Sequence, residues 1–459
     1  MSRFLFITKP FYIEPLGIMY LSGSLKAAGH ETSWITTESN MEEEVGKINP
    51  DIICYSIMTG DQDLFDGINK NLKSKFKFLS VAGGPHTTFF PECIQSSSFD
   101  AITRGESESS IVELANKFTS GSYYDVPGFW FKEGDAVHKN PLGQLIDNLD
   151  SLPFPDRSLI YDADESQRVN PIKHFIAGRG CPYACTYCFN HSYNRLYAGK
   201  GNPIRLRSVR NFLDEIKETV SKYPTKFVYF QDDTFILNKA WVREFSEAYA
   251  KEVKMPFHCH IRANLVEEET IRLLKDAGCF SVHIAVESGN ERLRNEVLKR
   301  NMSSGHIYKA CELLHKYGIK FMLQNILGLP TGTLEDDFET LRMNIRCRPT
   351  YAWASIFQPY PGTDLAKLSL EMNLVSERDL DNIQSSFFER SILGIPHKKE
   401  IEYLQKMFAL TVENPEIYDS GLLDAVIKLP DTQETRQMLD KLYKSFRKTS
   451  DKKLFGMDL

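Results

Sequence analysis

Over the first 150 residues, short apolar runs rich in β-branched residues alternate with amphipathic stretches of helical period. Strands are predicted at 4–8, 32–36, 52–57, 78–82 and 101–103, with helices such as 18–28 and 64–73 between them. The first of these helices stops at Gly29, a residue suited to a helix C-terminus. Strands alternating with helices pair in parallel, so a doubly wound, Rossmann-like α/β sheet is expected. The stretch Leu149-Asp-Ser-Leu-Pro-Phe-Pro-Asp156 then interrupts the pattern, since two close prolines favour an extended connector.

From about His174 the alternation restarts, with strands predicted at 173–177, 227–231, 258–262, 281–286, 320–326 and 353–357. Helix–glycine–strand junctions recur at Gly278 and Gly318. Six strands with intervening helices imply a partial, TIM-type (β/α)6 barrel. The tail from Ile401 is helical in pattern, and Asp431 and Glu434 have capping-box spacing before a helix running through Arg447. The expected division is a Rossmann-like domain over 1–145, a Pro-containing linker over 146–170, the barrel over 171–370 and a helical cap over 371–459. No internal repeat or low-complexity segment stands out.

Composition narrows the class. The 459 residues are too many for one ordinary domain, and 42% hydrophobic with 25% charged residues is globular composition. A net charge of −6 gives no general attraction to phosphate backbones or anionic lipid, so nucleic acid is not an expected partner. No run of about 18 apolar residues occurs, so no membrane span is expected. The opening MSRFLFITKPFYIEP reads as a strand and lacks the three-part pattern of a signal peptide. The nine cysteines are odd in number, and three fall within eight residues. That pattern points to a reducing cytoplasm and a metal site rather than a disulfide framework.

Residues 178–191 read Gly-Arg-Gly-Cys-Pro-Tyr-Ala-Cys-Thr-Tyr-Cys-Phe-Asn-His. Cysteines spaced CxxxCxxC on a loop after a strand can ligate three irons of one cuboidal cluster. A fourth iron would then stay open. Cys181, Cys185, Cys188 and His191 also make a Cys₃His donor set of the structural-zinc kind, so spacing alone leaves zinc open. The segment CPYACTYC resembles the signature of the radical S-adenosylmethionine (SAM) superfamily, including the aromatic Tyr187 before the last cysteine. The resemblance extends from about His174 to Asp364. It implies a [4Fe–4S] cluster on Cys181, Cys185 and Cys188, whose open iron SAM chelates through its amino and carboxylate groups.

The later strand ends carry further marks. Phe230-Gln-Asp-Asp-Thr-Phe235 puts Asp232 and Asp233 where one can contact SAM or substrate, or cap the next helix. In His258-Cys-His-Ile-Arg262 the alternate residues His258, His260 and Arg262 share a face. The resemblance gives Arg262 the SAM carboxylate, with an internal salt bridge as its competing use. The two histidines read as structural ahead of metal-binding. Ala285-Val-Glu-Ser-Gly289 is similar to the family's ribose motif, with Glu287 as acceptor for the hydroxyls. Ile326-Leu-Gly-Leu-Pro330 is similar to its Gly-rich fifth-strand motif, with Gly328 admitting the adenine or methionine moiety. Gln358-Pro-Tyr-Pro-Gly-Thr363 resembles the adenine-contacting loop and contributes Tyr360. The implied SAM contacts are thus Tyr187, Asp232, Arg262, Glu287, Gly328 and Tyr360.

In a doubly wound sheet the ligand crevice lies at the carboxyl ends of the strands. Those loops read Thr8-Lys-Pro, Ser56-Ile-Met-Thr-Gly60, Gly83-Gly-Pro-His86 and Arg104-Gly-Glu106. With the 15–29 segment they resemble the cobalamin-binding domain of the B12-dependent radical SAM class. The implied cobalamin contacts are Thr8, Ser56, Thr59, Gly83, Gly84, His86, Gly105 and Glu106. Gly83 and Gly84 would let the backbone pack against the nucleotide tail, and Ser56 and Thr59 would hydrogen-bond it. The chain lacks the Asp-x-His-x-x-Gly of cobalamin mutases and methionine synthase, which leaves His86 as a conceivable substitute cobalt ligand, with an unliganded loop histidine as the commoner case. A vestigial domain holding no cofactor is the alternative.

The resemblance implies methylation of an unactivated carbon in a small molecule, lipid or peptide. One SAM would methylate cobalamin, and a second would be cleaved to the 5′-deoxyadenosyl radical by an electron from flavodoxin or ferredoxin. Cyclisation, rearrangement or carbon–carbon coupling is the runner-up, and a non-catalytic metal- or redox-sensing protein the third reading. Residues 376–399 and the C-terminal helices are expected to cap the barrel, with Phe387, Phe388, Ile392 and Leu393 in its core or lining a pocket. Cys259, Cys279, Cys311 and Cys347 read as ordinary buried thiols.

Overall fold

The computed structural model describes residues 1–380, 383, 388 and 390–457, so Phe387 lies outside the described residues. The chain divides into two compact units, Met1–Gly178 with Tyr193–Thr225 and Arg179–Ser192 with Lys226–Leu459.

In the first unit, strands β1 (Arg3–Thr8), β2 (Glu31–Thr36), β3 (Ile52–Ser56), β4 (Leu79–Gly83), β5 (Ala101–Thr103), β6 (Phe129–Glu133) and β7 (Ala136–Lys139) lie in the order β2-β1-β3-β4-β5-β6-β7. The first five pair in parallel, as alternation with helices requires. Helices on both faces explain why the strands read as unbroken apolar runs. Leu5 and Ile7 pack with Val45, Phe65 and Leu72 on one face, while Phe4 and Phe6 pack with Leu16, Met19 and Leu114 on the other. Strands β6 and β7 were not foreseen. They form an antiparallel hairpin turned at Gly134 and Asp135, so the sheet is parallel only up to β5.

The proline-rich stretch is built into this unit. Asp156 donates its backbone N–H to Met19 O at 2.9 Å, and Leu159, Ile160 and Tyr161 join the core beneath helix Leu16–Ala27. A closed ion network fixes it. Arg157 binds Glu14 at 2.6 Å and Glu215 at 2.9 Å, Arg207 holds the other oxygen of Glu215, and Tyr161 donates to Glu14. These charges are almost wholly buried, so mutual pairing is what makes the burial tolerable.

All six strands foreseen for the second region form within about two residues of expectation. The first, β8 (Ile172–Phe175), falls in the first unit by compactness. The second unit carries β9 (Phe227–Phe230), β10 (Phe257–Ile261), β11 (Cys279–Glu287), β12 (Lys320–Leu327) and β13 (Tyr351–Ile356). These five pair in parallel in chain order, each followed by a helix, which is the strand arrangement of a β/α barrel. The helical C-terminal region packs Tyr403, Leu404 and Phe408 of helix Lys398–Glu413 against Ala352 and Ala354. Ile392 and Leu393 are core residues beside Phe357 and Leu365.

One end-signal was misplaced. Helix Gln433–Arg447 is capped by Thr432, whose hydroxyl accepts from Thr435 N–H at 3.2 Å, and not by Asp431. The Asp431 carboxylate is drawn instead to Arg436 at 2.8 Å, so no capping box forms with Glu434. Among the described residues no helix is long and apolar enough to cross a membrane.

Candidate functional site

The cysteine loop lies in the second unit with everything it touches there. Thr186 anchors it: its hydroxyl donates to Val297 O at 2.7 Å, its N–H to Leu298 O, and its carbonyl accepts from Leu365 N–H at 2.9 Å. Cys185 is buried, while Cys181 and Cys188 are partly accessible. Burial pushes the Cys188 thiol up to about 12 and raises that of Cys181, and the three sulfurs act on one another electrostatically.

Two guanidinium groups meet at Cys185. Arg262, at the end of β10, directs Nη1 to its Sγ at 3.8 Å and stacks over the Tyr183 ring at 3.7 Å. Arg300 directs Nη1 to the same sulfur at 3.9 Å, bonds Tyr187 Oη and Ala285 O, and lies 3.6 Å from Glu287. Tyr187 donates its hydroxyl to Glu287 at 2.7 Å. Two buried cations turned toward one sulfur suit an anionic group ligated there. Arg262 was expected at the SAM carboxylate or in a salt bridge rather than at this sulfur, and Arg300 was not foreseen.

The donor set and its surroundings fit an iron–sulfur cluster better than zinc. Four ligands around one zinc put sulfurs about 3.8 Å apart. Among the described residues, the metal-binding side chains gathered within 4.8 Å are His258, His260 and His283, and not the three cysteines with His191. His191 faces Asp364 at 3.4 Å.

The other foreseen SAM residues divide. Glu287 is buried at a β-bulge with φ of +69°, a conformation costing a non-glycine residue about 1–3 kcal/mol that the surrounding bonds must hold. Burial raises its carboxyl despite Arg300 and the Tyr187 hydrogen bond. Asp232 is buried just past β9, and burial raises the carboxyl of Asp233 beside Asn190. Tyr360 is half-buried next to Phe189. Gly328 departs from expectation. Its φ is +71°, but the space before it is filled by Ile395 and Ile401, 3.2 and 3.4 Å from where a Cβ would stand. Its N–H donates to buried Asp337 at 3.1 Å, and burial raises that carboxyl well above its ordinary range.

Tyr229 on β9 and three imidazoles from β10 and β11 form a polar cluster. His258 Nδ1 lies 2.7 Å from Ser281 Oγ, and the Tyr229 hydroxyl lies 3.1 Å from His260 Nε2 and 3.4 Å from His283 Nδ1. Burial lowers His260 to about 4 and His283 well below its ordinary value. His283 escaped the sequence reading because it sits in an apolar strand and meets the others only across the sheet.

In the first unit the strand order reverses between β1 and β3, which makes the loops after them the topological switch point. Tyr12, Ile13 and Met58 are exposed there, at 77, 55 and 55%, and Leu64 is exposed in the first turn of the helix Gln62–Lys73 that follows. Large apolar side chains left in solvent on and beside two adjoining loops suit a broad, partly apolar ligand. Ser56 is half-buried, and Thr59 Oγ1 lies 3.3 Å from Nδ1 of His86, which is only 8% exposed and whose imidazole burial shifts downward.

Five foreseen cobalamin contacts serve the protein itself. Gly84 has φ of +102° and a Cβ would stand 2.8 Å from Ile57 O, while a Cβ on Gly83 would meet Thr103 at 3.0 Å and one on Gly105 would strike Tyr197. Thr8 accepts from Trp34 Nε1 at 3.1 Å, and the Glu106 carboxylate is held by Arg205 and Tyr193. Their smallness or polarity answers to internal packing.

Comparison with known proteins finds both domains. The model of the B12 binding domain matches residues 2–115, and that of the radical SAM superfamily matches residues 175–343. An uncharacterized methyltransferase of Pyrococcus horikoshii is 28% identical over 379 residues, covering 79% of each chain. The anaerobic magnesium-protoporphyrin IX monomethyl ester cyclase of Rubrivivax gelatinosus is 25% identical, covering 76% of this chain and 65% of its own. The solved structure of the cobalamin-dependent SAM radical enzyme OxsB, with aqua-cobalamin and SAM bound, superposes with a TM-score of 0.69 at 17% identity, covering 99% of this chain and 72% of that one. The chain belongs to the radical SAM superfamily, in the class that carries a B12 binding domain ahead of the radical SAM domain.

Proposed function

We propose that this protein is a cobalamin-dependent radical SAM enzyme that methylates an unactivated carbon of a small molecule. The observation that carries the reading is the seat of the cysteine loop, where Arg262 and Arg300 both turn Nη1 toward Cys185. Cys181, Cys185 and Cys188 would hold the cluster, and the switch-point residues Ser56, Thr59 and His86, with Tyr12, Ile13 and Met58, would receive cobalamin. When bound, these groups supply the electron that cleaves SAM to the 5′-deoxyadenosyl radical and the methyl group that is transferred. Arg262 and Arg300 hold negative charge at Cys185, and Thr186, Tyr187 and Glu287 fix the loop. Asp232 and Tyr360 remain the candidate SAM contacts, and Glu287 would exchange its bond with Tyr187 for one to the ribose. The electron would come from a flavodoxin or ferredoxin in the cytoplasm.

Methylation follows the methyltransferase relative, and the similarity to the cyclase supports a second reading, ring formation by the same radical. Anaerobically reconstituted protein given SAM and dithionite should release 5′-deoxyadenosine, and with its substrate S-adenosylhomocysteine as well. 5′-Deoxyadenosine alone on the true substrate would favour cyclisation. Zinc held by the cysteine loop, with no labile sulfide, would overturn both.

A further inference from the structure

We infer that His258, His260 and His283 form a binding site for one divalent transition-metal ion of the zinc class, separate from the cysteine loop. Their donor atoms lie within 4.8 Å of one another, and the rings of His258 and His283 are 4.1 Å apart between centroids. Three imidazole donors around one zinc at about 2.1 Å stand about 3.4 Å apart, so small ring movements complete the set. Imidazole is a preferred ligand of zinc and its neighbours in the first transition row.

Two further observations point the same way. Among the described residues, His283 Nε2 is buried with no hydrogen-bond partner. A stranded ring nitrogen is costly in an apolar barrel unless something else takes its lone pair. The opposite ring nitrogens are already served: Nδ1 of His258 by Ser281 at 2.7 Å, and Nδ1 of His283 by the Tyr229 hydroxyl at 3.4 Å. A ligating histidine is oriented in this way, one nitrogen held by a hydrogen bond and the other aimed at the ion. The register explains the convergence, because His260 pairs directly with His283 and His258 with Ser281 on the next strand. From the terminal helix Thr449–Phe455, Phe455 packs on His258 and Tyr229 at 5.5 and 5.7 Å and shields the cluster from water. An ion here would tie β10 to β11 in a role that is structural.

The test uses the full-length chain with Cys181, Cys185 and Cys188 all replaced by alanine, which removes the cluster ligands. Titration with cobalt(II) should show one equivalent bound, with visible d–d bands and no thiolate-to-cobalt absorption. His260→Gln and His283→Gln should each weaken binding at least tenfold, while Tyr229→Phe, which keeps all three imidazoles, should still bind. Should the histidine variants not fold, zinc absorption-edge spectroscopy on the zinc-loaded parent decides: three imidazole nitrogens near 2 Å are expected. No uptake by the parent, a sulfur-containing shell, or binding unchanged in both histidine variants would overturn the site.

Discussion

In the first unit Arg157 and Arg207 stand against two carboxylates, Glu14 and Glu215, and the network closes on itself. In the second unit Arg262 and Arg300 are equally buried, yet the carboxylate beside them is Glu287 and both reach the sulfur of Cys185. Buried charge survives only when it is answered. The first network is answered by the protein and therefore reads as structure. The second leans on a cysteine sulfur rather than a second carboxylate, and its proposed partner is the anionic group that the cysteine loop would ligate. Similar residue types thus do different work according to whether their electrostatics are closed.

Breaking the two networks should have opposite signatures. The largest effect is expected from Cys185→Ser, which should abolish bound iron and sulfide and reduce 5′-deoxyadenosine formation by more than about a thousandfold, with the circular dichroism spectrum unchanged. Glu14→Gln should leave cluster loading alone but lower stability by about 3–5 kcal/mol, read in denaturant melts, because Arg157 is left buried and short of a partner.

The pH dependence follows from the same carboxylate. Burial alone would raise Glu14, but the charge of Arg157 and hydrogen bonds from His174 and Tyr161 outweigh it and hold the group at about 2 against an ordinary 4.5. Its folded value is depressed, so its contribution is complete above about pH 4.5 and is lost as the pH falls through about 2. Melts over that window should flatten in the Glu14→Gln variant.

A smaller change tests the open network. Arg300→Met should lower cluster occupancy by about 10–100-fold at limiting iron, with less loss of stability than Glu14→Gln. The smallest lies far from either: Thr432→Ala should cost about 1 kcal/mol through the lost helix cap, with cluster content untouched.

Periodicity made the backbone legible. Both parallel sheets and the barrel strands followed from alternation of apolar runs, because a strand covered on two faces has few alternatives. The hairpin at 129–139 escaped because its strands are short and its outer member is largely exposed, so no strong pattern marks it. In the site, residues inside motifs were legible and residues that arrive across space were not. Arg300 lies just past the helical turn Leu293–Val297 and outside any motif, and His283 is one polar residue in a buried strand. Gly83, Gly84 and Gly105 mark close approach, and within the protein the groups that approach are Thr103, Ile57 and Tyr197.

The most direct measurement is low-temperature electron paramagnetic resonance of the anaerobically reconstituted, dithionite-reduced protein, with and without SAM. A cubane signal that changes when SAM is added would place the sulfonium compound on an iron the three cysteines leave open. No such signal, or one indifferent to SAM, would contradict the assignment of the cysteine loop.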